Sequence, residues 1–171
     1  SDLIAFPEMA ITGYPAEDLL YKPAFIADNK RYLNEIVRES HGLSVVVGFV
    51  DSDNGLYNAA AIASDGEILD IYHKIHLPTY GVFDEDRYFR KGRRCPVYII
   101  NGVKIGVNIC EDAWYSMGPM VVQRESGAEV IININASPYH TGKAGQREGI
   151  MSSRASTNQL YVAYVNTVGG Q

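Results

Sequence analysis

Short apolar runs rich in β-branched residues alternate along this chain with longer amphipathic runs. Ser44–Val50 is almost entirely apolar, which is typical of a strand that is covered on both faces. Ala24–Ser40 instead places its apolar residues at helical spacing, and Gly42 follows as a stop signal. This alternation is typical of a layered α/β protein in which helices cover sheets. The sequence therefore predicts one α/β domain with mixed strand order.

Two turn signals predict β-hairpins. Asn101-Gly102 stands between two apolar runs and is the strongest short hairpin signal in the chain, and Ser64-Asp65-Gly66 is a second one. The stretch from Lys74 to Pro96 is polar and aromatic with little periodicity, and a long loop of this kind is usually functional. The other predicted elements are strands over Leu3–Phe6, Asn58–Ala63, Glu67–Tyr72, Val97–Ile100, Val103–Ile109, Val130–Asn135 and Tyr161–Asn166, and helices over Pro119–Ser126 and Gln146–Gln159.

Composition excludes several classes of protein. The 171 residues are 46% hydrophobic and 20% charged, as in an ordinary globular domain, and the net charge of −5 argues against a general nucleic-acid or membrane-surface binder. No run approaches the roughly 20 apolar residues of a membrane span, and the first residues lack the features of a signal peptide. Two cysteines exclude a disulfide scaffold. We expect a cytoplasmic protein, of which this chain is a piece cut at both ends.

Cys110 lies where the predicted strand Val103–Ile109 ends, and ligand crevices of α/β sheets open at such ends. A thiol there can act as a nucleophile, although a buried structural cysteine is an equally good interpretation. Cys95 has no comparable context and is interpreted as structural. A nucleophilic thiol needs a base, and the candidates are three histidines or a carboxylate, between which the residues alone do not choose: His73, His76, His140 and Glu8.

Two further charged residues follow predicted strands. Glu8 comes after Leu3–Phe6, where apolar surroundings would raise the pKa of a carboxyl group and suit it to act as a base. Lys74 comes after Glu67–Tyr72. Taken singly, a solvated salt-bridge partner and a surface lysine are the simpler interpretations. The spacing of His73 and His76 is a weak metal-ligand signal, and we predict no metal site because no helical ligand frame surrounds it.

Together, these strand-end residues resemble a known family. Phe6-Pro7-Glu8, His73-Lys74 and Asn108-Ile109-Cys110-Glu111-Asp112 are similar to the Glu, Lys and Cys motifs of the nitrilase superfamily of carbon–nitrogen hydrolases. Two longer segments, Thr12–Leu20 and His73–Glu85, resemble the glutaminase domain of glutamine-dependent NAD synthetases. The resemblance extends over essentially the whole chain. It implies an α-β-β-α sandwich, here truncated at both ends.

The resemblance also implies catalytic roles. Cys110 would attack an amide carbonyl to form a thioester, and Glu8 would be the general base. Lys74 would stabilise the tetrahedral oxyanion, with the backbone N–H of Glu111 as the second donor. Glu85 matches a second carboxylate that positions the lysine.

The implied substrate is L-glutamine, whose side-chain amide would be hydrolysed to supply ammonia. Residues 1–171 would be part of the glutaminase domain and would carry no cofactor, because the synthetase domain that uses ATP and Mg²⁺ for amidation of deamido-NAD is absent from this chain. The implied partner is that synthetase domain, and a homo-oligomer is expected. The alternatives are a stand-alone amidase of ω-amidase or carbamoylase type, or a degenerate non-enzymatic domain. The substrate-binding residues implied are Tyr14, Tyr80, Ser137 and Lys143.

The first predicted strand carries a separate expectation. Leu3–Phe6 is short and apolar, so it should lie inside a sheet, next to a strand that this sequence does not contain. We therefore expect residues 1–171 alone to expose an apolar patch there, to bury Cys110 incompletely and to show little glutaminase activity.

Overall fold

Eight strands form two four-stranded sheets in the computed structural model, which describes residues 1–169. The first sheet has the strand order β1-β2-β3-β4 and the second β5-β6-β7-β8. Three α-helices complete the fold in these residues. The strands are β1 (Leu3–Ala5), β2 (Ser44–Asp51), β3 (Tyr57–Ser64), β4 (Glu67–His73), β5 (Val97–Ile100), β6 (Val103–Ile109), β7 (Val130–Asn135) and β8 (Tyr161–Asn166), and the helices are α1 (Pro23–Arg38), α2 (Pro119–Glu125) and α3 (Lys143–Asn158).

The strand order in each sheet is mixed, as predicted. In the first sheet, β1 is parallel to β2, whereas β2, β3 and β4 are successive antiparallel neighbours. In the second sheet, β5 and β6 are antiparallel, and β6, β7 and β8 are parallel. Each sheet is therefore built from one continuous half of the chain. The carboxyl ends of β6, β7 and β8 meet at one edge, where a crevice can open.

Both predicted hairpins are confirmed. Asn101 and Gly102 join β5 to β6 with φ angles of 48° and 82°, and Asp65 and Gly66 join β3 to β4 with 51° and 84°. Two consecutive residues with positive φ define the tight turn whose twist matches that of the flanking strands. Asparagine, aspartate and glycine are the residues that adopt this conformation most readily.

The central core lies between the two sheets. It joins Val46, Ala60 and Tyr72 of the first sheet to side chains on β6 and β7 of the second, among them Val107 and Ile132. Burial of these apolar surfaces is the main stabilising contribution to the sandwich. Side chains on the opposite face of β2 point away from this core, because successive side chains of a strand point to opposite faces.

Helices cover the two outer faces. Leu33 and Val37 of α1 pack against Val45 and Val47 on the outer face of the first sheet. On the second sheet, residues of α2 and α3, including Met120 and Met151, pack with side chains of β7 and β8. The four layers are thus helix, sheet, sheet and helix, which confirms the expected α-β-β-α sandwich. Among the described residues, no helix has the length and apolar character needed to cross a membrane.

The first strand is shorter than predicted and lies at the edge of its sheet, paired with β2. Ile4 and Phe6 are 38% and 37% exposed, so the expected apolar patch is present. Cys110, however, is only 4% exposed, and the expectation that it would be incompletely buried is wrong. The thiol is covered by residues of its own chain, because it lies in the core between the sheets. The second neighbour expected for β1, a strand that this sequence does not contain, stays a prediction.

Candidate active site

Glu8 is positioned by a close approach between two backbones. The chain leaves β1 and crosses the middle of β2 at Gly48, where an added Cβ would lie 2.1 Å from the Pro7 carbonyl oxygen and 2.8 Å from the Glu8 Cα. No side chain larger than hydrogen fits at that point. Met9 then turns with φ of 47°. The carboxylate of Glu8 is buried, with 2% of the residue exposed, where it meets residues from both sheets.

Lys74 is fixed in the same manner at the end of β4. Its backbone N–H donates to the Asn58 carbonyl at 2.9 Å, and its own carbonyl accepts the Gly92 N–H at 2.8 Å. An added Cβ on Gly92 would lie 2.0 Å from the His73 carbonyl oxygen, so this contact also requires glycine. The lysine backbone is therefore held from two sides, which limits the positions that its ammonium can take.

A buried ion cluster forms around the Lys74 ammonium. Nζ donates to Oε1 of Glu8 and to Oε1 of Glu85, both at 2.7 Å. Asn58 Nδ2 donates to Oε1 of Glu8 at 2.7 Å and to Oε2 of Glu85 at 3.4 Å, and the Tyr14 hydroxyl donates to Oε1 of Glu85 at 2.8 Å. Charge-assisted hydrogen bonds of this kind hold side chains rigidly when water is excluded.

The cluster shifts the ionisation of its members. Burial acts to lower the pKa of Lys74, but the adjacent carboxylates of Glu8 and Glu85 outweigh it and hold that pKa well above its usual range. Burial raises the pKa of Glu85 from 4.5 to about 7; the Lys74 ammonium opposes this rise, and the charge of Glu8 adds to it. Lys74 is therefore a permanent cation, while Glu85 titrates near neutrality.

Cys110 begins a short 3-10 turn over Cys110–Ala113 directly after β6, with φ of 44°. A positive φ is uncommon for a residue other than glycine, and strained backbone of this kind clusters at functional sites. The Sγ atom lies 3.7 Å from the Ser137 hydroxyl oxygen. Burial first, and then the charge of Glu8, raise the pKa of the Cys110 thiol, although Lys74 acts to lower it. The resting group is therefore a neutral thiol that needs a base.

The two sheets are joined at the site by hydrogen bonds. Glu8 Oε2 accepts the Ala136 N–H at 2.8 Å, which connects the first sheet to the loop after β7. Asp112 makes the second connection. It accepts the Tyr72 hydroxyl, at 2.8 Å, and the backbone N–H groups of Ile75, His76 and Ile109, at 3.2, 2.8 and 3.1 Å. Asp112 thus ties the segment that carries Lys74 to the turn that carries Cys110.

Of the four residues predicted to bind the substrate, two line a cleft together with Glu8 and two do not. The Tyr80 hydroxyl donates to Glu111 Oε2 at 2.8 Å, and Tyr80 is 55% exposed. Tyr14 and Ser137 line a cleft of about 680 Å³ together with Glu8. Lys143 is the first residue of α3, and its Nζ lies 5.7 Å from the centre of the Trp114 ring. The structure therefore places Tyr14 and Ser137 in the cleft, while the substrate contacts of all four residues stay predictions.

The three histidines that the sequence offered as possible bases make contacts with other residues. His73 Nε2 lies 2.8 Å from Asp51 Oδ2, the His76 ring stacks on Tyr115, and the exposed His140 contacts its neighbouring carbonyl. A carboxylate base is therefore the arrangement that this geometry favours. Within residues 1–169, no group of three His, Cys, Asp or Glu side chains is placed to hold a metal ion. Cys95 is a half-buried free thiol.

Sequence reasoning missed three residues of this region. Asn58 bridges both carboxylates from the start of β3, and Asp112 was noticed only as part of a motif. Arg147 lines the cleft, donates to the Pro138 carbonyl and leaves its buried Nε without a partner among the described residues. Its position four residues after Lys143 on α3, and so on the same helix face, was the available signal.

Comparison with known proteins agrees with this geometry. Residues 1–171 match the carbon-nitrogen hydrolase family over their whole length, and the chain belongs to that family. More particularly, it is 45% identical to the glutamine-dependent NAD(+) synthetase of Thermotoga maritima and 46% identical to that of Aquifex aeolicus, in each case over 100% of this chain and 30% of the relative. The chain thus spans about a third of the length of these relatives.

Solved structures show the same fold. A glutamine-dependent NAD+ synthetase from Acinetobacter baumannii superposes with a TM-score of 0.94 at 40% identity, over 100% of this chain and 32% of that one. An amidase from Nesterenkonia sp. superposes with a TM-score of 0.85 at 22% identity, over 99% of this chain and 64% of the amidase, a likeness that concerns the fold alone.

Proposed function

We propose that this chain is the glutaminase part of a glutamine-dependent NAD(+) synthetase, and that it hydrolyses the side-chain amide of L-glutamine to glutamate and ammonia. One observation carries the proposal: the Lys74 ammonium lies 2.7 Å from carboxylate oxygens of both Glu8 and Glu85, in a buried cluster whose charges act on the Cys110 thiol. Such a cluster offers a nucleophile, a base and a cation to one reacting amide. The relatives at 45% and 46% identity support glutamine as the substrate.

In the first half of the reaction, Cys110 attacks the amide carbon of glutamine. Because its thiol is protonated at rest, Glu8 removes the proton as the Sγ–C bond forms. The tetrahedral intermediate then collapses, the C–N bond breaks, and the nitrogen leaves as ammonia with the proton returned by Glu8. A γ-glutamyl thioester remains on Cys110.

Lys74 and the Glu111 backbone N–H stabilise the negative oxygen of the intermediate. A lysine ammonium has three N–H donors, and two of them bind Glu8 and Glu85, so the third is free to reach a substrate oxygen. Fixed donors of this type stabilise a transition state without reorganising, and removing one usually costs about 2.7–4 kcal/mol. Glu85 acts through Lys74 and is a positioning residue.

The second half of the reaction consumes one water molecule. Glu8 takes a proton from the water, the oxygen attacks the thioester carbon, and the C–S bond breaks. The proton passes to Cys110, which returns as a thiol, and glutamate leaves. The three donors around the Glu8 carboxylate keep it in one orientation through both halves: Lys74, Asn58 and the Ala136 N–H.

The free amino acid is recognised by groups around the cleft. We propose that Lys143 binds the α-carboxylate as a point charge, while Tyr80 and Ser137 supply hydroxyl or backbone contacts. Tyr14 lies at the same pocket and also holds Glu85. Arg147 lies on the same helix as Lys143 and lines the cleft, so we propose it as a further cation that binds the substrate.

The wider assignment follows from the same relatives. Residues 1–171 would supply ammonia to a synthetase domain of the parent protein, where ATP and Mg²⁺ serve the amidation of deamido-NAD, so the chain itself needs no cofactor. A cytoplasmic location and a homo-oligomer remain part of this proposal.

A single substitution in the full-length parent protein tests whether glutamine hydrolysis and NAD synthesis depend on different residues. Cys110→Ala should lower glutamine-dependent NAD synthesis by about a thousandfold or more, since the nucleophile is gone. Synthesis from an added ammonium salt should continue at the wild-type rate, because that chemistry lies on other residues. Both rates are measured by NAD formation.

Cys95→Ala is the matched control, because it removes the other thiol of the chain and should leave both rates unchanged. Loss of both activities in a folded Cys110→Ala protein would contradict the proposal. So would glutamine-dependent synthesis that survives without the Cys110 thiol.

A further inference from the structure

A second cavity, of about 590 Å³, lies beside the end of β4. Within residues 1–169, its lining shares no residue with the cleft that contains Glu8. Its wall includes the rings of His73 and Tyr57 and four cationic residues that fall within five consecutive positions: Arg90, Lys91, Arg93 and Arg94.

The charge of this cavity is opposite to that of the chain, whose net charge is −5. Two of the cations have acidic partners: Arg94 lies 2.8 Å from Asp70, and Lys91 lies 3.8 Å from Asp86. The other two do not have one. Arg90 donates to the neutral Asn54 carbonyl, and in the part of the chain that the structure describes neither Arg90 nor Arg93 has a carboxylate oxygen within 4.0 Å. About two positive charges are thus uncompensated at the cavity.

The backbone that presents these cations is fixed. The Arg90 N–H donates to the Leu56 carbonyl at 2.8 Å, and the Gly92 N–H donates to the Lys74 carbonyl at 2.8 Å. The two aromatic rings of the lining are also held in place, since Tyr57 and His73 stack with centroids 4.0 Å apart and His73 Nε2 lies 2.8 Å from Asp51 Oδ2. A site whose frame is already ordered loses little entropy when a ligand binds.

We propose that this cavity binds a small molecule that carries phosphate groups. The guanidinium group donates two parallel hydrogen bonds to phosphate oxygens, and Arg90 and Arg93 have no carboxylate that competes for them. The volume lies within the roughly 300–1,000 Å³ of small-ligand pockets, and the concave shape suits a small molecule better than an extended polymer. The Tyr57–His73 pair provides a flat aromatic wall on which a ring of the ligand can rest.

Arginine footprinting of the full-length protein tests the proposal. Inorganic pyrophosphate is the probe, phenylglyoxal modifies the arginines, and peptide mapping measures the rate at each position. Pyrophosphate should slow modification of Arg90 and Arg93 several-fold, because bound phosphate covers their guanidinium groups. Arg38, an exposed arginine at the end of α1, is the internal control and should react at an unchanged rate.

A double variant links the protection to the cavity. Pyrophosphate bound by Arg90 and Arg93 should also slow modification of Arg94, which lines the same cavity. In Arg90→Gln/Arg93→Gln this protection of Arg94 should disappear, whereas in the matched variant Arg38→Gln it should persist. Cys110→Ala should also keep it, so failure of the glutaminase proposal and failure of this one are distinguishable. Comparison of inorganic triphosphate with a nucleoside triphosphate tests the aromatic wall, since the two probes carry equal numbers of phosphate groups and a base that rests on the wall should increase the protection.

Three results would overturn the proposal. The first is equal modification of Arg90 and Arg93 with and without pyrophosphate. The second is equal protection of Arg38, which would show a general salt effect. The third is low reactivity of Arg90 and Arg93 before any ligand is added, which would show that protein covers this face in the full-length molecule.

Discussion

The two cysteines differ in burial. The thiol that we propose as the nucleophile is the more deeply buried one, although burial ordinarily lowers the reactivity of a thiol. Cys110 is 4% exposed and Cys95 is half-buried, and burial raises the pKa of both thiols. If Cys110 is the nucleophile, as we propose, its reactivity must come from a neighbouring base and a bound substrate rather than from a standing thiolate. This distinction has a direct chemical test.

Two alkylating reagents should label opposite cysteines. Iodoacetamide, which needs only an accessible thiolate, should modify Cys95 faster than Cys110. A glutamine analogue with a diazoketone electrophile should modify Cys110 faster, because it binds where Glu8 can remove the thiol proton. Peptide mapping after limited labelling of the full-length protein measures both ratios. Preferential labelling of Cys95 by the glutamine analogue would contradict the assignment of the nucleophile.

Glu85 should make stability depend on pH. Its pKa rises from 4.5 to about 7 in the folded protein, so between these values the folded state binds a proton that the unfolded state has released. The stabilisation from this proton is complete below about pH 4.5 and is lost as pH rises through about 7, with an upper magnitude on the order of 3 kcal/mol. The unfolding free energy of wild type should therefore fall relative to that of Glu85→Gln over this range.

Urea titrations of both proteins at several pH values between 5 and 8 measure this difference. Glu35→Gln, which removes an exposed carboxylate of α1, is the control for changes elsewhere in the molecule. A wild-type minus Glu85→Gln difference that stays constant between pH 5 and 8 would show that the carboxyl group is ionised throughout the range and would contradict this prediction.

At the scale of secondary-structure elements, the site depends on where the strands end and on two glycines that let neighbouring backbone segments approach closely. Gly48 in the middle of β2 allows the segment after β1 to cross the sheet and bring Glu8 inward, and Gly92 allows the loop after Lys74 to contact the end of β4. Neither glycine belongs to the reacting groups. Both are required by the close approach of two backbones.

Gly48→Ala should displace Glu8. The new Cβ would lie 2.1 Å from the Pro7 carbonyl oxygen, a backbone atom that cannot rotate away, so the segment must shift. We expect a loss of about 1–3 kcal/mol in stability and of about a hundredfold in glutaminase rate. Gly145→Ala is the matched control, since nothing lies within 4 Å of its Cβ position. Urea titration and a coupled glutamate assay measure the two effects, and wild-type activity of Gly48→Ala would contradict this account.

The sequence predicted features that depend on local signals and missed those that depend on contacts between distant residues. Apolar runs and the Asn101-Gly102 turn are local signals, and the strands and hairpins that they predicted are confirmed. Helix α3 begins at Lys143 rather than Gln146, because glycines obscure its first turn. Strand ends located Glu8, Lys74 and Cys110, which the structure brings together. Asn58 and Asp112 could not be found in this way, because their partners are distant in sequence.

At the scale of the whole molecule, the groups that we propose to react lie on opposite sides of the interface between the sheets. The first sheet and the loop after β4 provide Glu8, Lys74 and Glu85, whereas the second sheet provides Cys110 and Ser137. Asp112 and the Ala136 N–H join the two sides. The geometry of the site therefore depends on the alignment of one sheet with the other.

Asp112→Asn should loosen this alignment. An amide has one acceptor oxygen and two N–H donors, so at least one of the four donors that Asp112 now binds would lose its partner. We expect about 2–4 kcal/mol of destabilisation, and glutaminase activity lost at a urea concentration below that of unfolding. Asp65→Asn, at an exposed turn with one backbone hydrogen bond, should change little. Coincident loss of activity and structure would contradict this expectation.

Because each sheet is one continuous half of the chain, a ribosome completes the half that carries the carboxylates and the ammonium before it adds the thiol. A newly made first half has no nucleophile, and an unfolded second half has an ordinary solvated cysteine. Under the proposed mechanism, the thiol therefore meets its base only after the halves have docked. If the proposed mechanism holds, hydrolysis of glutamine itself reports that the sandwich has closed.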